Sequence, residues 1–227
     1  MLFISIIVMA CSHSTVELIE EVDPVEQKKF SFLALGDSYT IGHNVDQESS
    51  FPFLLKSKLT KNGFLFPENP KIIAKTGWTC DNLSQSIDIA NLNEHKYDLV
   101  TLLIGVNDQY SGHDINTYPA NFTILLNKAI LYATSKENVI VLSIPDYSVT
   151  PFGGNSIKTA MEIAAYNKIN KKISDDMGIK YVNITSISLK AKDDLSYLAN
   201  DKLHPSEKMY IEWVAEMYDE VLLALKK

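Results

Sequence analysis

Ser38 lies within Gly36-Asp37-Ser38-Tyr39-Thr40, directly after the apolar run Phe30 to Leu35. A serine at the carboxyl end of a strand can attack an acyl carbon if a base takes its proton and donors hold the oxyanion that forms. The same letters also spell an ordinary turn whose Asp and Ser cap the next helix. Near the C-terminus stands Asp201-Lys202-Leu203-His204-Pro205. Asp and His three residues apart in one loop can place the carboxylate on the imidazole Nδ1–H, which fixes the tautomer and leaves Nε2 to accept a serine proton. Histidine suits that task because its ordinary pKa lies close to neutrality. The plainer alternative is a surface histidine beside a helix-starting proline. His13, His43, His95 and His113 show no comparable carboxylate spacing, and adjacent side chains such as His113 and Asp114 diverge.

Two further turns can supply oxyanion donors. Gly105-Val106-Asn107-Asp108 follows the apolar run Tyr97 to Ile104, and the Asn107 amide can donate to a negative oxygen. Asn-Asp is also a common loop signal. Gly77, in Lys75-Thr76-Gly77-Trp78 after Lys71 to Ala74, can offer a backbone N–H to the same point. Asp37 and Tyr39 beside the serine, and Trp78 and Tyr110 beside the donors, are candidate substrate walls, although aromatics also pack structurally. The stretch from Pro145 to Gly154 follows another apolar run, so Tyr147 and Phe152 are candidates to shape a pocket; an unremarkable long loop is the alternative.

These residues can meet only if the intervening elements bring them to one rim. The runs Phe30 to Leu35, Lys71 to Ala74, Tyr97 to Ile104, Asn138 to Ile144 and Ile179 to Val182 have strand length and few internal charges, as strands covered on both faces do. Between them the sequence predicts helices over about 49 to 61, 80 to 91, 117 to 135, 156 to 177 and 206 to 226. Apolar spacing at Phe122, Leu125, Leu126, Ala129 and Ile130, and at Met209, Trp213, Val214, Met217 and Val221, supports the third and the last. Regular alternation predicts right-handed βαβ units, a parallel sheet and a three-layer α/β fold. Ligands of such sheets bind beyond the carboxyl ends of the strands, where all these motifs fall.

The 227 residues suit one medium domain, and no internal repeat or domain break is visible. A net charge of −7 without any Lys/Arg cluster disfavours nucleic acid as a partner. There is no His-Glu-x-x-His, no Cys/His cluster and no phosphate-loop or dinucleotide glycine pattern, so neither metal nor nucleotide cofactor is expected. Residues 1 to 10 are almost wholly apolar, too short for a spanning helix of about 20 residues, and read as the apolar part of an export signal. Val8-Met9-Ala10-Cys11 resembles a bacterial lipobox, which would make Cys11 a lipidation site and the only membrane link, facing the periplasm or cell exterior. A hydrophobic element packed on the core is the alternative. Residues 11 to 29, acidic and poor in apolar groups, would be a solvated tether to a domain spanning 30 to 227. Cys80 would then stay unpaired.

Taken together, the Ser, Gly, Asn and His blocks, in this order, resemble the SGNH or GDSL hydrolase family over about residues 30 to 226. Gly-Asp-Ser-Tyr is a variant of the family's first block, and Thr40 removes the Gly-x-Ser-x-Gly elbow of α/β-hydrolases. The resemblance implies a flavodoxin-like α/β/α sandwich with a five-stranded parallel sheet. It implies a serine esterase with Ser38 as nucleophile, Asp201 orienting the base His204, and an oxyanion hole from the Ser38 and Gly77 N–H groups and the Asn107 side chain. No cofactor is implied. The partner would be a small-molecule, glycan or lipid ester: acetylated carbohydrate, short-chain ester or lysophospholipid. Acyl transfer to another alcohol, thioester hydrolysis, and non-catalytic glycan or lipid binding are the competing readings of the same pocket.

Overall fold

The computed structural model describes residues 27–92 and 95–226. The expected signal segment and Cys11 lie outside the described residues, as does most of the expected tether. Five strands form one parallel sheet: β1 (Phe32–Gly36), β2 (Lys71–Ala74), β3 (Leu99–Leu103), β4 (Val139–Leu142) and β5 (Lys180–Val182), in the spatial order β2-β1-β3-β4-β5. The three central strands are buried along their whole length, whereas edge strands β2 and β5 each expose a lysine.

The helices are α1 (Ser38–Ile41), α2 (Phe51–Lys61), α3 (Cys80–Ile89), α4 (Val106–Tyr110), α5 (Tyr118–Tyr132), α6 (Ile157–Asp176), α7 (Thr185–Ser188) and α8 (Glu207–Leu225). α2 packs with α8, and α5 packs between α3 and α6. The apolar stripe expected in the last helix is the buried one: Met209, Trp213, Val214, Met217 and Val221 all point into the core. The strands thus receive helices on both faces, which is why they carry continuous apolar runs rather than alternation.

Four strands, β1, β3, β4 and β5, are shorter than the apolar runs suggested, and for β1 and β3 the reason is specific. Phe30 donates its backbone N–H to Leu65 O at 2.8 Å, outside the sheet, and Tyr97 is engaged by Tyr132 and Thr134 rather than by a neighbouring strand. The single-turn helices α1, α4 and α7 have too few residues to show an apolar period, so sequence periodicity passes over them. Two of the three carry site residues.

Sheet register sets the site. Gly36 at the end of β1 pairs with Ala74 at the end of β2 on one side and with Leu103 at the end of β3 on the other. Three βα turns therefore leave the sheet along one line, at the point where chain order reverses on either side of β1, which is where an open parallel sheet binds ligands. Those turns hold Ser38, Gly77 and Asn107.

Candidate active site

β1 ends in Gly36 because nothing larger fits: a Cβ there would lie 2.1 Å from Thr40 Oγ1 and 2.4 Å from Leu103 O. The close approach lets α1 begin at once with Ser38, only 4% exposed. Asp37 is the N-cap, its Oδ1 accepting the Tyr39 N–H at 3.0 Å. The turn-and-cap reading and the nucleophile reading of this motif thus describe the same geometry. As the first residue of a helix, Ser38 has a backbone N–H with no intrahelical acceptor, a ready-made anion donor.

The loop before α8 carries the second half of the site. Ala199 donates to His204 O at 2.8 Å, closing the loop, and Lys202 takes a left-handed conformation (φ 58°) to make the turn. Asp201 Oδ1 accepts the backbone N–H groups of Leu203 and His204, both at 3.0 Å. Asp201 Oδ2 meets His204 Nδ1 at 2.5 Å, and His204 Nε2 meets Ser38 Oγ at 2.9 Å across 166 positions of sequence. α1 and α8 are also tied by the Tyr210 hydroxyl, which donates to Tyr39 O at 2.9 Å.

Electrostatics suit proton transfer. Partial burial acts to raise the Asp201 pKa, but the bonds from His204, Leu203 and Asn44 outweigh it and hold the carboxyl at about 2. Burial lowers the His204 pKa below its ordinary value; Asp201 opposes that shift and the neighbouring His43 adds to it. The imidazole is therefore neutral at pH 7, with Nδ1–H directed at a carboxylate and Nε2 free to accept a proton from Ser38. Behind the serine, burial pushes the Asp37 carboxyl up to about 8, assisted by Asp108, so it is held mainly as the neutral acid at pH 7.

On the opposite side, the turns after β2 and β3 are bolted together. Asn107 Nδ2 donates to Trp78 O at 2.9 Å, and Asp108 accepts the Cys80 N–H at 3.0 Å. One amide hydrogen of Asn107 is used in that bond, and the other is available to an incoming oxygen. Gly77 has φ 82°, which glycine adopts without strain. Ser38, Gly77, Asn107 and His204 line one cavity of about 240 Å³. A hydroxyl, a base and three donor groups around one cavity are the requirements for acyl transfer.

The cavity walls are mainly apolar: Tyr39, Val106, Tyr110, Tyr147, Phe152 and Leu203. Tyr110, Tyr147 and Phe152 form an aromatic group with ring centroids 5.8–6.4 Å apart. The long loop after β4 is thus part of the pocket. Trp78 and Asp37 are not. Trp78 packs its side chain against the core and contributes only its carbonyl to Asn107, while Asp37 is buried behind α1 as a cap. Cys80 is a free, buried thiol.

Three contributors escaped the sequence analysis. Asn44, in a left-handed conformation (φ 65°), donates its side-chain amide to Asp201 Oδ2. His43 packs the edge of its ring against His204 with centroids 4.7 Å apart and bonds Thr76 Oγ1 through Nδ1 at 3.0 Å. Gln109 accepts from the Tyr147 hydroxyl at 2.9 Å and donates to Glu162 at 2.7 Å, fixing one pocket wall to α6. The only signal for the first two was Gly42-His43-Asn44, which reads as any turn. Among the described residues, one group of three side chains offers metal-ligand atoms close together: His43, Asp201 and His204.

A fold that brings a buried serine and histidine together with a more exposed aspartate at the switch point of a parallel sheet defines a class of ester hydrolases. Residues 34–210 match the GDSL-like lipase/acylhydrolase family, and the chain belongs to that family. It is a carboxylic ester hydrolase. No curated protein matches the sequence. Among solved structures, it is similar to a psychrotrophic esterase from Pseudoalteromonas inhibited by monoethylphosphonate, at 21% identity and TM-score 0.66 over 87% of this chain and 99% of that one. It is also similar to an acetyl xylan esterase from Geobacillus stearothermophilus, at 18% identity and TM-score 0.64 over 85% and 94%. A lipase/acylhydrolase from Enterococcus faecalis gives 19% identity and TM-score 0.66 over 86% and 95%. At these identities the likeness establishes the fold, a five-stranded parallel α/β architecture of the SGNH hydrolase type.

Proposed function

We propose that the protein cleaves an O-acyl ester in two steps through an acyl-enzyme on Ser38. The observation that carries this reading is the continuous relay from Asp201 through His204 to Ser38, with contacts of 2.5 and 2.9 Å. His204 Nε2 takes the Ser38 proton as Oγ attacks the acyl carbon, and the carbonyl oxygen becomes an oxyanion. The Ser38 and Gly77 N–H groups and the Asn107 amide hold that oxygen. His204 then returns the proton to the departing alcohol. Water enters by the same base, attacks the acyl-enzyme, and releases the acid with Ser38 restored.

The apolar wall of Tyr110, Tyr147 and Phe152 supports an ester with an apolar portion beside the reacting carbon. Acetylated carbohydrate, short-chain ester and lysophospholipid all satisfy the machinery, and the wall distinguishes among them by chain length. The apolar segment ahead of Cys11 supports a reaction on extracytoplasmic esters by a lipid-anchored enzyme. The test is hydrolysis of p-nitrophenyl esters of increasing acyl length, together with acetylated glycans, by wild type and Ser38→Ala. Turnover falls to background in Ser38→Ala for every substrate; undiminished turnover in that variant refutes the reading.

A further inference from the structure

His43, which the proposed relay does not use, sits at the mouth of the site with His204 and Asp201, the ligand atoms of all three lying within 4.8 Å of one another. Two imidazoles and one carboxylate are a donor set for a borderline divalent ion such as Zn²⁺, with water completing a tetrahedron; Mg²⁺ and Ca²⁺ instead want oxygen ligands. The Nδ1 contact to Thr76 Oγ1 at 3.0 Å holds the His43 ring in place and leaves Nε2 as the ligand position. Metal-binding histidines are oriented in this way by a partner on the other ring nitrogen. The ring is half-buried and already packed edge-on against His204, with centroids 4.7 Å apart, so the three groups are neighbours before any ion arrives.

We infer that His43, Asp201 and His204 form an inhibitory site for Zn²⁺, through which the metal reversibly shuts the enzyme off. Capture of His204 stops the reaction whichever nitrogen binds. Nε2 is the atom that must take the Ser38 proton, and Nδ1 is the atom that must stay on Asp201. No bond in the substrate or the protein is broken, so chelation restores the free relay.

The inhibitory consequence rests on the proposed esterase mechanism, but the binding does not, and the two are measured separately. For binding, Zn²⁺ is titrated calorimetrically into untagged full-length Ser38→Ala, which keeps all three ligands, and into Ser38→Ala/His43→Phe. The site predicts a binding event that weakens at least about tenfold in the double variant, and a loss of about tenfold for Ser38→Ala/Thr76→Val. For inhibition, the Zn²⁺ concentration that halves ester hydrolysis, referred to each variant's own uninhibited rate, rises by at least about tenfold in His43→Phe. EDTA reverses the effect in wild type, and equal Mg²⁺ leaves the rate unchanged. Identical Zn²⁺ binding in Ser38→Ala and Ser38→Ala/His43→Phe overturns the site, as does equal inhibition by Mg²⁺. Binding that depends on His43 without any slowing of wild-type hydrolysis overturns the inhibitory role.

Discussion

Asn44 donates its side-chain amide to Asp201 Oδ2, the same oxygen that receives His204 Nδ1 at 2.5 Å. Every partner of this carboxylate therefore holds it in one orientation: two backbone N–H groups on Oδ1, Asn44 and His204 on Oδ2. A hydrogen bond to a charged group contributes about 1.5–3 kcal/mol. Only part of that reaches the transition state, because the backbone bonds remain. Asn44→Ala is expected to lower kcat about tenfold with little change in KM, as loss of a group that orients the base but does not touch substrate should. Steady-state kinetics on a p-nitrophenyl ester measure the split.

The proposed oxyanion donors differ in what their loss does. Asn107→Ala removes a side-chain donor aimed at the developing charge and should cost about 10²–10³ in kcat. Gly77→Ala adds a methyl group that meets nothing within 4 Å, so its effect comes through the backbone alone. At φ 82° an alanine is disfavoured by roughly 1–2 kcal/mol, and relief of that strain would reorient the N–H proposed to hold the oxyanion. A fall in kcat together with a reduced melting temperature is expected for Gly77→Ala. A fall in kcat with a smaller change in melting temperature is expected for Asn107→Ala.

The acid limb of the rate profile follows from His204. Burial lowers its pKa below the ordinary 6.5, and only the neutral imidazole accepts the Ser38 proton. Activity should rise with pH through a midpoint below 6.5, measured with chelator present. Stability shares the direction. The unfolded chain protonates this histidine first, so the folded state loses stability as pH falls from 6.5 toward the lower folded value.

Asp37 makes the opposite prediction for stability. In the folded protein it keeps its proton up to about pH 8, whereas its ordinary value is 3.8. Between those values the unfolded chain gains an ionised carboxylate that the fold excludes, so this group's contribution declines as pH rises from about 4 to 8. Asp37→Asn resembles the neutral acid and retains the oxygen that caps Tyr39 N–H. The melting temperature of the variant relative to wild type should therefore increase steadily from pH 5 to pH 8. A constant difference over that range would mean that the carboxylate is ionised in the fold.

Phe152 is 52% exposed in the free protein and packs with Tyr110 and Tyr147 in one wall of the cavity, leaving apolar area for a substrate to cover. Burying a phenyl ring is worth about 1.5–3 kcal/mol. Phe152→Ala should reduce kcat/KM for longer acyl esters by about tenfold while changing acetate esters little, which the chain-length series reads directly.

What the sequence displayed and what it hid divide along a physical line. Ser38, Asn107 and the Asp201/His204 pair were legible because each stands at a fixed offset from an apolar strand or a helix start, and periodicity finds those elements. Asn44 was not legible: its partner lies 157 positions away, and an asparagine in a left-handed turn looks the same whether or not its amide reaches a catalytic loop. His43 was set aside for lacking a carboxylate neighbour in sequence, although its ring contacts the base across the fold. Trp78 was misplaced for the converse reason. Adjacency to Gly77 put its backbone at the site, but its side chain leaves toward the core.

The central claim is that Ser38 is the one hydroxyl activated by its histidine, and a fluorophosphonate reports that state by bonding only to an activated serine. After reaction of the purified chain, mass spectrometry of its peptides should find a single adduct, on the peptide bearing Ser38, with none in Ser38→Ala and greatly slowed labelling in His204→Ala. An adduct on a different residue, or equal labelling of wild type and His204→Ala, would contradict the account.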